Sequence, residues 1–152
     1  SACRKGGQWK KALELFNSMK DSGVQPNVNT FIAAINACEE GGQWKKALDL
    51  FGSMKNYEVQ PNVFTFNTAI SACGKGGQWK KALELFNSME DHGVQPDVIS
   101  YSACIGALHT AAQFEEACFL MSKARSRDFY CLAWRSASEI DLHDCSSAVA
   151  KT

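Results

Sequence analysis

Seven cysteines and three histidines are the side chains of this 152-residue chain best suited to hold a metal. Cys104, Cys118, Cys131, Cys145, His109 and His143 lie towards its end without the CxxC or HxxxH spacing of a zinc site, so no metal and no cofactor is expected. Cys3, Cys38 and Cys73 recur every 35 residues at one position. Helices packed side by side keep their axes about 8–10 Å apart, whereas a disulfide needs Cα atoms within about 7 Å. These three read instead as small buried hydrophobes of a reducing compartment. Trp9, Trp44 and Trp79 carry rings that can stack on nucleic-acid bases, but they fall on an apolar stripe and read as core. The pairs Lys10-Lys11, Lys45-Lys46 and Lys80-Lys81 can meet phosphate weakly and in a salt-dependent way, yet their spacing places them on a solvated face.

The elements that carry these residues repeat. Gly6-Gly7-Gln8-Trp9-Lys10-Lys11-Ala12-Leu13-Glu14-Leu15-Phe16-Asn17-Ser18-Met19 returns almost unchanged at residues 41–54 and 76–89, and in weakened form at 111–124. A period of this size marks a repeat array. Within one copy Trp44, Ala47, Leu48, Phe51 and Met54 lie on one face of an amphipathic helix. Phe31, Ala34, Ile35 and Cys38, and again Phe66, Ala69, Ile70 and Cys73, are spaced i, i+3, i+4, i+7, which makes a second helix with Thr30, Thr65 and Ser100 as its expected N-caps. Gly23 and Gly93 stand where a glycine would end the other helix, and Pro26, Pro61 and Pro96 forbid its continuation. First helices are predicted over residues 30–39, 65–74 and 100–109, and second helices over 8–21, 43–56, 78–91 and 113–124. Trp44 and Trp79 are expected to be largely buried.

One hairpin of two helices cannot cover both its apolar faces, but a stack of hairpins can. The fold class predicted is all-α, an α-solenoid of 35-residue hairpins. Its units are residues 1–27 (a second helix and turn), 28–62, 63–97 and a diverged 98–132, followed by 133–152 as linker and tail. Ser1 aligns with Ser71, inside a first helix, so the chain is expected to begin part-way through a repeat of a longer array. The formal net charge is zero, which argues against a strongly basic nucleic-acid footprint. No apolar run approaches the ~20 residues of a membrane span, and neither a membrane nor a small-molecule substrate is expected as a partner.

Val63-Phe64-Thr65-Phe66-Asn67-Thr68-Ala69-Ile70-Ser71-Ala72-Cys73, then Lys80-Lys81-Ala82-Leu83-Glu84-Leu85-Phe86 and Gly93-Val94-Gln95-Pro96-Asp97, resembles the pentatricopeptide repeat (PPR) consensus. The likeness runs from Ser1 to about Asp128. It implies a right-handed superhelix that binds single-stranded RNA one base per repeat, in a mitochondrion or plastid. In that family the fifth and last residues of a repeat face the base. Here these are Asn67 with Asp97, Ile32 with Asn62, and Ser102 with Leu132; Asn27 is the last residue of the opening unit. The second residue of each repeat, Asn29, Phe64 and Ile99, is expected to sandwich bases. A lysine late in the first helix meets phosphate in the family, and Lys75 and Lys5 match it, while Glu40 takes that place in the unit between them. Only the Asn67/Asp97 unit has the full set for reading a base.

The tail adds a second resemblance. Glu139-Ile140-Asp141-Leu142-His143-Asp144 is similar to the opening of an Smr (small MutS-related) domain, with Asp144 where glycine is usual. The family's Asp and His, linked to nucleic-acid binding or endonuclease activity, correspond to Asp141 and His143. A second, glycine-rich motif is not in this sequence, so no catalytic residue is assigned and the chain itself is not expected to be an enzyme. The alternatives to RNA binding are a protein-interaction scaffold, or the RNA-binding part of an Smr-type endonuclease.

Overall fold

The computed structural model describes residues 2–126, with side chains from Gln8 onward. Seven α-helices follow one another: α1 (Ala2–Asp21), α2 (Val28–Glu40), α3 (Trp44–Ser53), α4 (Val63–Lys75), α5 (Trp79–Asp91), α6 (Val98–Thr110) and α7 (Phe114–Ser126), with no strand among the described residues. Helices α2, α4 and α6 pack side by side as one layer. In the other layer, α3 packs on α2 and α4, α5 on α4 and α6, and α7 on α6, with α1 against α2. The fold is an all-α solenoid, and the first helices of the hairpins line one surface.

The apolar spacing found its place. Phe31, Ala34, Ile35 and Cys38 of α2 are buried, as are Phe66, Ala69, Ile70 and Cys73 of α4 and Tyr101, Cys104, Ile105 and Leu108 of α6. They meet Phe16, Ala47, Leu50 and Met54 in one cluster and Ala82, Phe86, Met89, Ala117 and Leu120 in the other.

Three expectations are corrected. The N-caps are Asn27, Asn62 and Asp97, not Thr30, Thr65 and Ser100, and the helices start at Val28, Val63 and Val98. Each cap side chain accepts from the backbone N–H three residues on, at 2.9, 3.0 and 2.9 Å. The Thr or Ser there accepts in return from the cap's own N–H, at 3.4, 2.9 and 3.1 Å. This reciprocal capping satisfies two otherwise unpaired groups at each helix start.

Second, α1 runs unbroken from Ala2 to Asp21 through Gly6-Gly7, whereas the second helix of this unit was expected to begin at residue 8. At the later corners the first glycine is closed over a tryptophan. A β-carbon on Gly41 would stand 2.2 Å from Trp9 Cδ1, and one on Gly76 2.3 Å from Trp44 Cδ1.

Third, Trp44 and Trp79 are half-buried rather than buried. Each stands at the first turn of its helix, at the edge of the layer. Trp44 lies on the next glycine corner and not in the interior. Trp9 does the same at Gly41, and Lys46 Nζ sits 4.1 Å from the centroid of the Trp9 rings, a cation–π contact between neighbouring hairpins.

The second helices end as their glycines predict. Gly23 and Gly93 adopt φ of +73° and +70°, and Val24 and Val94 N–H groups close back on the Met19 and Met89 carbonyls, both at 2.9 Å. In the middle copy Glu58 holds that position with φ +58°. The last turn there is a 3-10 helix, Met54–Tyr57, so α3 stops short of its expected end.

Candidate nucleic-acid interface

Opposite its buried stripe, α4 presents Phe64, Asn67, Thr68, Ser71 and Lys75, the spacing that keeps side chains in line along a helix. Phe64 is 59% exposed, and Ile99, one period later on α6, is 55% exposed. Large apolar side chains left in water on adjacent helices form an apolar surface. Asn29, their counterpart on α2, is exposed but polar.

Between these lies a polar cluster. Asn67 is only 7% exposed. Its Nδ2 donates to Asp97 Oδ1 at 3.1 Å, and its Oδ1 accepts from the Ser100 hydroxyl. The orientation of the amide follows from chemistry. A carboxylate only accepts, so the nitrogen must face Asp97 and the oxygen Ser100. Ser100 Oγ also lies 2.9 Å from Asp97 Oδ1. It has one proton to give, and it accepts from the Asp97 backbone N–H. The two residues predicted to read a base are therefore joined, and the buried Ser100 holds them together. Asp97 sits at the start of α6, where the helix dipole favours an anion.

The other predicted readers are not joined in this way. Ile32 is half-buried and has no polar group for Asn62. The Thr65 hydroxyl, counterpart of Ser100, donates instead to the Asn62 carbonyl at 2.8 Å. Asn62 Oδ1 is engaged by the Thr65 N–H. Asn27 is exposed, its Oδ1 bonded to the Thr30 N–H and hydroxyl. Ser102 is exposed on α6. Its companion Leu132, the Lys5 side chain, and Asp141 and His143 of the tail lie outside the described residues.

Lys75 is exposed but not alone. Its Nζ lies 2.8 Å from Glu39 Oε1. The same oxygen accepts from Ser71 Oγ at 2.6 Å. Sequence reasoning noticed Glu40 and missed Glu39, Ser71 and the second role of Ser100. The partner of Lys75 lies one repeat back on another helix, and only the packing of α2 against α4 reveals it.

Cys38, Cys73 and Cys104 are free and buried. Burial pushes the Cys73 thiol up to about 11 and Cys104 to about 12. Burial also raises Cys38, with Lys46 pulling the other way. Such thiols stay protonated at neutral pH, and no group of three or more metal-ligating side chains occurs among the described residues. No described helix is long and apolar enough to cross a membrane.

Three family models tile the first 110 residues: a PPR repeat over residues 1–24, a pentatricopeptide repeat domain over 14–76 and the PPR repeat family over 61–110. The chain belongs to the pentatricopeptide repeat family. No curated protein matches this PPR chain. Among solved structures it is similar to PPR10 in complex with an 18-nt psaJ RNA element, at 27% identity and a TM-score of 0.71, covering 79% of this chain and 18% of that one. PPR10 from maize gives a TM-score of 0.74 at 24% identity over 96% of this chain and 22% of that one. The PPR domain of Arabidopsis thaliana protein-only RNase P 1, in complex with tRNA, gives 0.73 at 18% identity, over 86% and 69%. The last two likenesses speak to the fold alone. The chain spans under a quarter of the PPR10 structures it matches.

Proposed function

We propose that this PPR segment binds single-stranded RNA, one base per repeat, and that the 63–97 unit reads uracil. The observation that carries the reading is the hydrogen bond between Asn67 and Asp97, flanked by the exposed Phe64 and Ile99. Asn67 retains a second amide proton and a second lone pair. A uracil ring N–H can donate to its oxygen while a uracil carbonyl accepts from its nitrogen. Cytosine fits only with the amide turned, and the Asp97 carboxylate and Ser100 hydroxyl oppose that turn. Phe64 and Ile99 supply faces to hold the ring. The RNA-bound PPR10, at 27% identity, supports the ligand class.

The role is binding and not catalysis. Action in a mitochondrion or plastid, and a continuation into an Smr-type domain with Asp141 and His143, belong to the same proposal and rest on resemblance alone. A second reading, a protein-interaction scaffold, is favoured by Glu39 and Glu40 at the end of α2.

The test is an array of identical copies of residues 63–97, titrated with four homopolymer RNAs at fixed salt. Uracil should bind best, cytosine next and purines weakly, with discrimination of about 1–3 kcal/mol per base contact. Replacing Asn67 by Thr throughout should move preference towards guanine. Equal binding of adenine and uracil RNA by the parent array would sink this readout and favour the scaffold.

A further inference from the structure

Two donors stand one helical turn apart on the exposed stripe of α4, the hydroxyl of Ser71 and the ammonium of Lys75. Both converge on one oxygen, Glu39 Oε1, at 2.6 and 2.8 Å. The Glu39 side chain is 12% exposed, while that of Lys75 is 57% exposed. The carboxylate is tucked between α2 and α4, and the ammonium reaches into water. A hydroxyl and an ammonium that meet one anionic oxygen make a phosphate-binding pair as well as a carboxylate-binding one. Lys75 and Ser71 share their stripe with Phe64 and Asn67, about 10–16 Å further along α4 from Phe64 by the helical rise.

Resting on the RNA-binding reading above, we propose that Glu39 is a built-in competitor for the RNA backbone. It occupies the Ser71–Lys75 pair in the free protein, and a phosphate must displace it to gain that contact. The neighbouring units support this by contrast. Gly74 and His109 take the place of Glu39 one and two periods on, so the competing carboxylate belongs to the α2–α4 junction. An anionic side chain there cancels the lysine charge that would attract a phosphate, and the step of the array best equipped to meet the backbone is held weak. Glu39 acts through Lys75 and is a positioning residue, not a base reader.

The test compares the full 152-residue chain with Glu39→Gln, Lys75→Gln and the double variant. Each is titrated by fluorescence anisotropy with a labelled oligouridylate over a range of salt, after circular dichroism has shown that it is helical. Freeing one lysine for one phosphate steepens the salt dependence by about 0.7 for a single strand. Glu39→Gln should therefore bind several-fold more tightly than the parent at low salt, and roughly 2.6-fold of that advantage should vanish for a fourfold rise in salt. Lys75→Gln should cost less than about twofold in the parent but remove the whole gain in the Glu39→Gln background. The parent arm stands even if Glu39→Gln does not fold: a large loss from Lys75→Gln alone would mean that the lysine already meets phosphate, and would overturn the proposal. So would equal or weaker RNA binding by folded Glu39→Gln while the parent binds. Absence of binding in all four proteins overturns the RNA reading itself, and this inference with it.

Discussion

The Trp44 ring lies against Gly76 of the following repeat so closely that a β-carbon there would stand 2.3 Å from Cδ1. The contact couples one hairpin to the next. Gly76→Ala should destabilise the array by about 1–3 kcal/mol, the cost of overpacking a close contact. Trp44→Ala should cost about 2 kcal/mol, less than a fully buried aromatic because the ring is half in water. In the double variant the new methyl has room, and the two losses should fail to add by 0.5 kcal/mol or more. Denaturant titration of the four proteins reads this cycle, and strict additivity would show that the contact carries no energy.

Glu58 stands in the left-handed region where Gly23 and Gly93 stand in the flanking copies. A side chain there is strained, and glycine is not. Glu58→Gly should raise stability by about 1 kcal/mol and raise the thermal midpoint. Ala112, with φ +57°, should respond to glycine in the same direction. The opposite sign at both positions would mean that their backbone relaxes to a negative φ.

Cys73 and Cys104 hold thiols whose folded pKa values, about 11 and about 12, lie above the usual 9.0. The unfolded chain therefore loses these protons first as pH rises. Their contribution is complete below about pH 9 and is lost as pH climbs towards 11 to 12. Melting temperature should fall over that window, and less steeply in a Cys73→Ala, Cys104→Ala variant. An identical slope in the two proteins would assign the fall to other groups.

The Ser100 hydroxyl holds the Asn67 amide in one orientation. In an array of identical copies of residues 66–100, which keeps Asn67, Asp97 and Ser100 together, Ser100→Ala throughout should narrow the preference for uracil over cytosine. It also removes one reciprocal cap, at about 1 kcal/mol per helix start. Unchanged discrimination at reduced stability would make Ser100 a cap alone.

What was legible in the sequence follows its periodicity. The buried stripes of α2 and α4 were assigned residue by residue, because spacing alone decides which face of a helix is apolar. The helix starts were missed by two residues. The sequence points to Thr30, Thr65 and Ser100 as caps because each is a hydroxyl residue just before the apolar spacing begins, while the true caps Asn27, Asn62 and Asp97 stand three positions earlier. Resemblance sets Asn67 and Asp97 at one base, but the hydrogen bond between them is legible only in the structure. The pairing of Glu39 with Ser71 and Lys75 is legible only there too, since it joins two helices from different repeats and no local pattern announces it. The half-burial of Trp44 was hidden for a related reason. Its partner is the backbone of a glycine, which has no side chain to signal a contact.

The caps at Asn27, Asn62 and Asp97 have one more implication, for anyone who would reprogram such an array. The residue proposed to choose a base is also the residue that starts the next helix. Only a few short polar side chains start a helix well. Substitutions at this site are thus filtered by folding before any ligand is met, and the vocabulary available for recognition is a subset of the one available for capping. The fifth position, where Ile32 and Asn67 both sit within an established helix, escapes that filter. Diversity in a designed library should be placed there, with the final position varied only among residues that keep the turn closed.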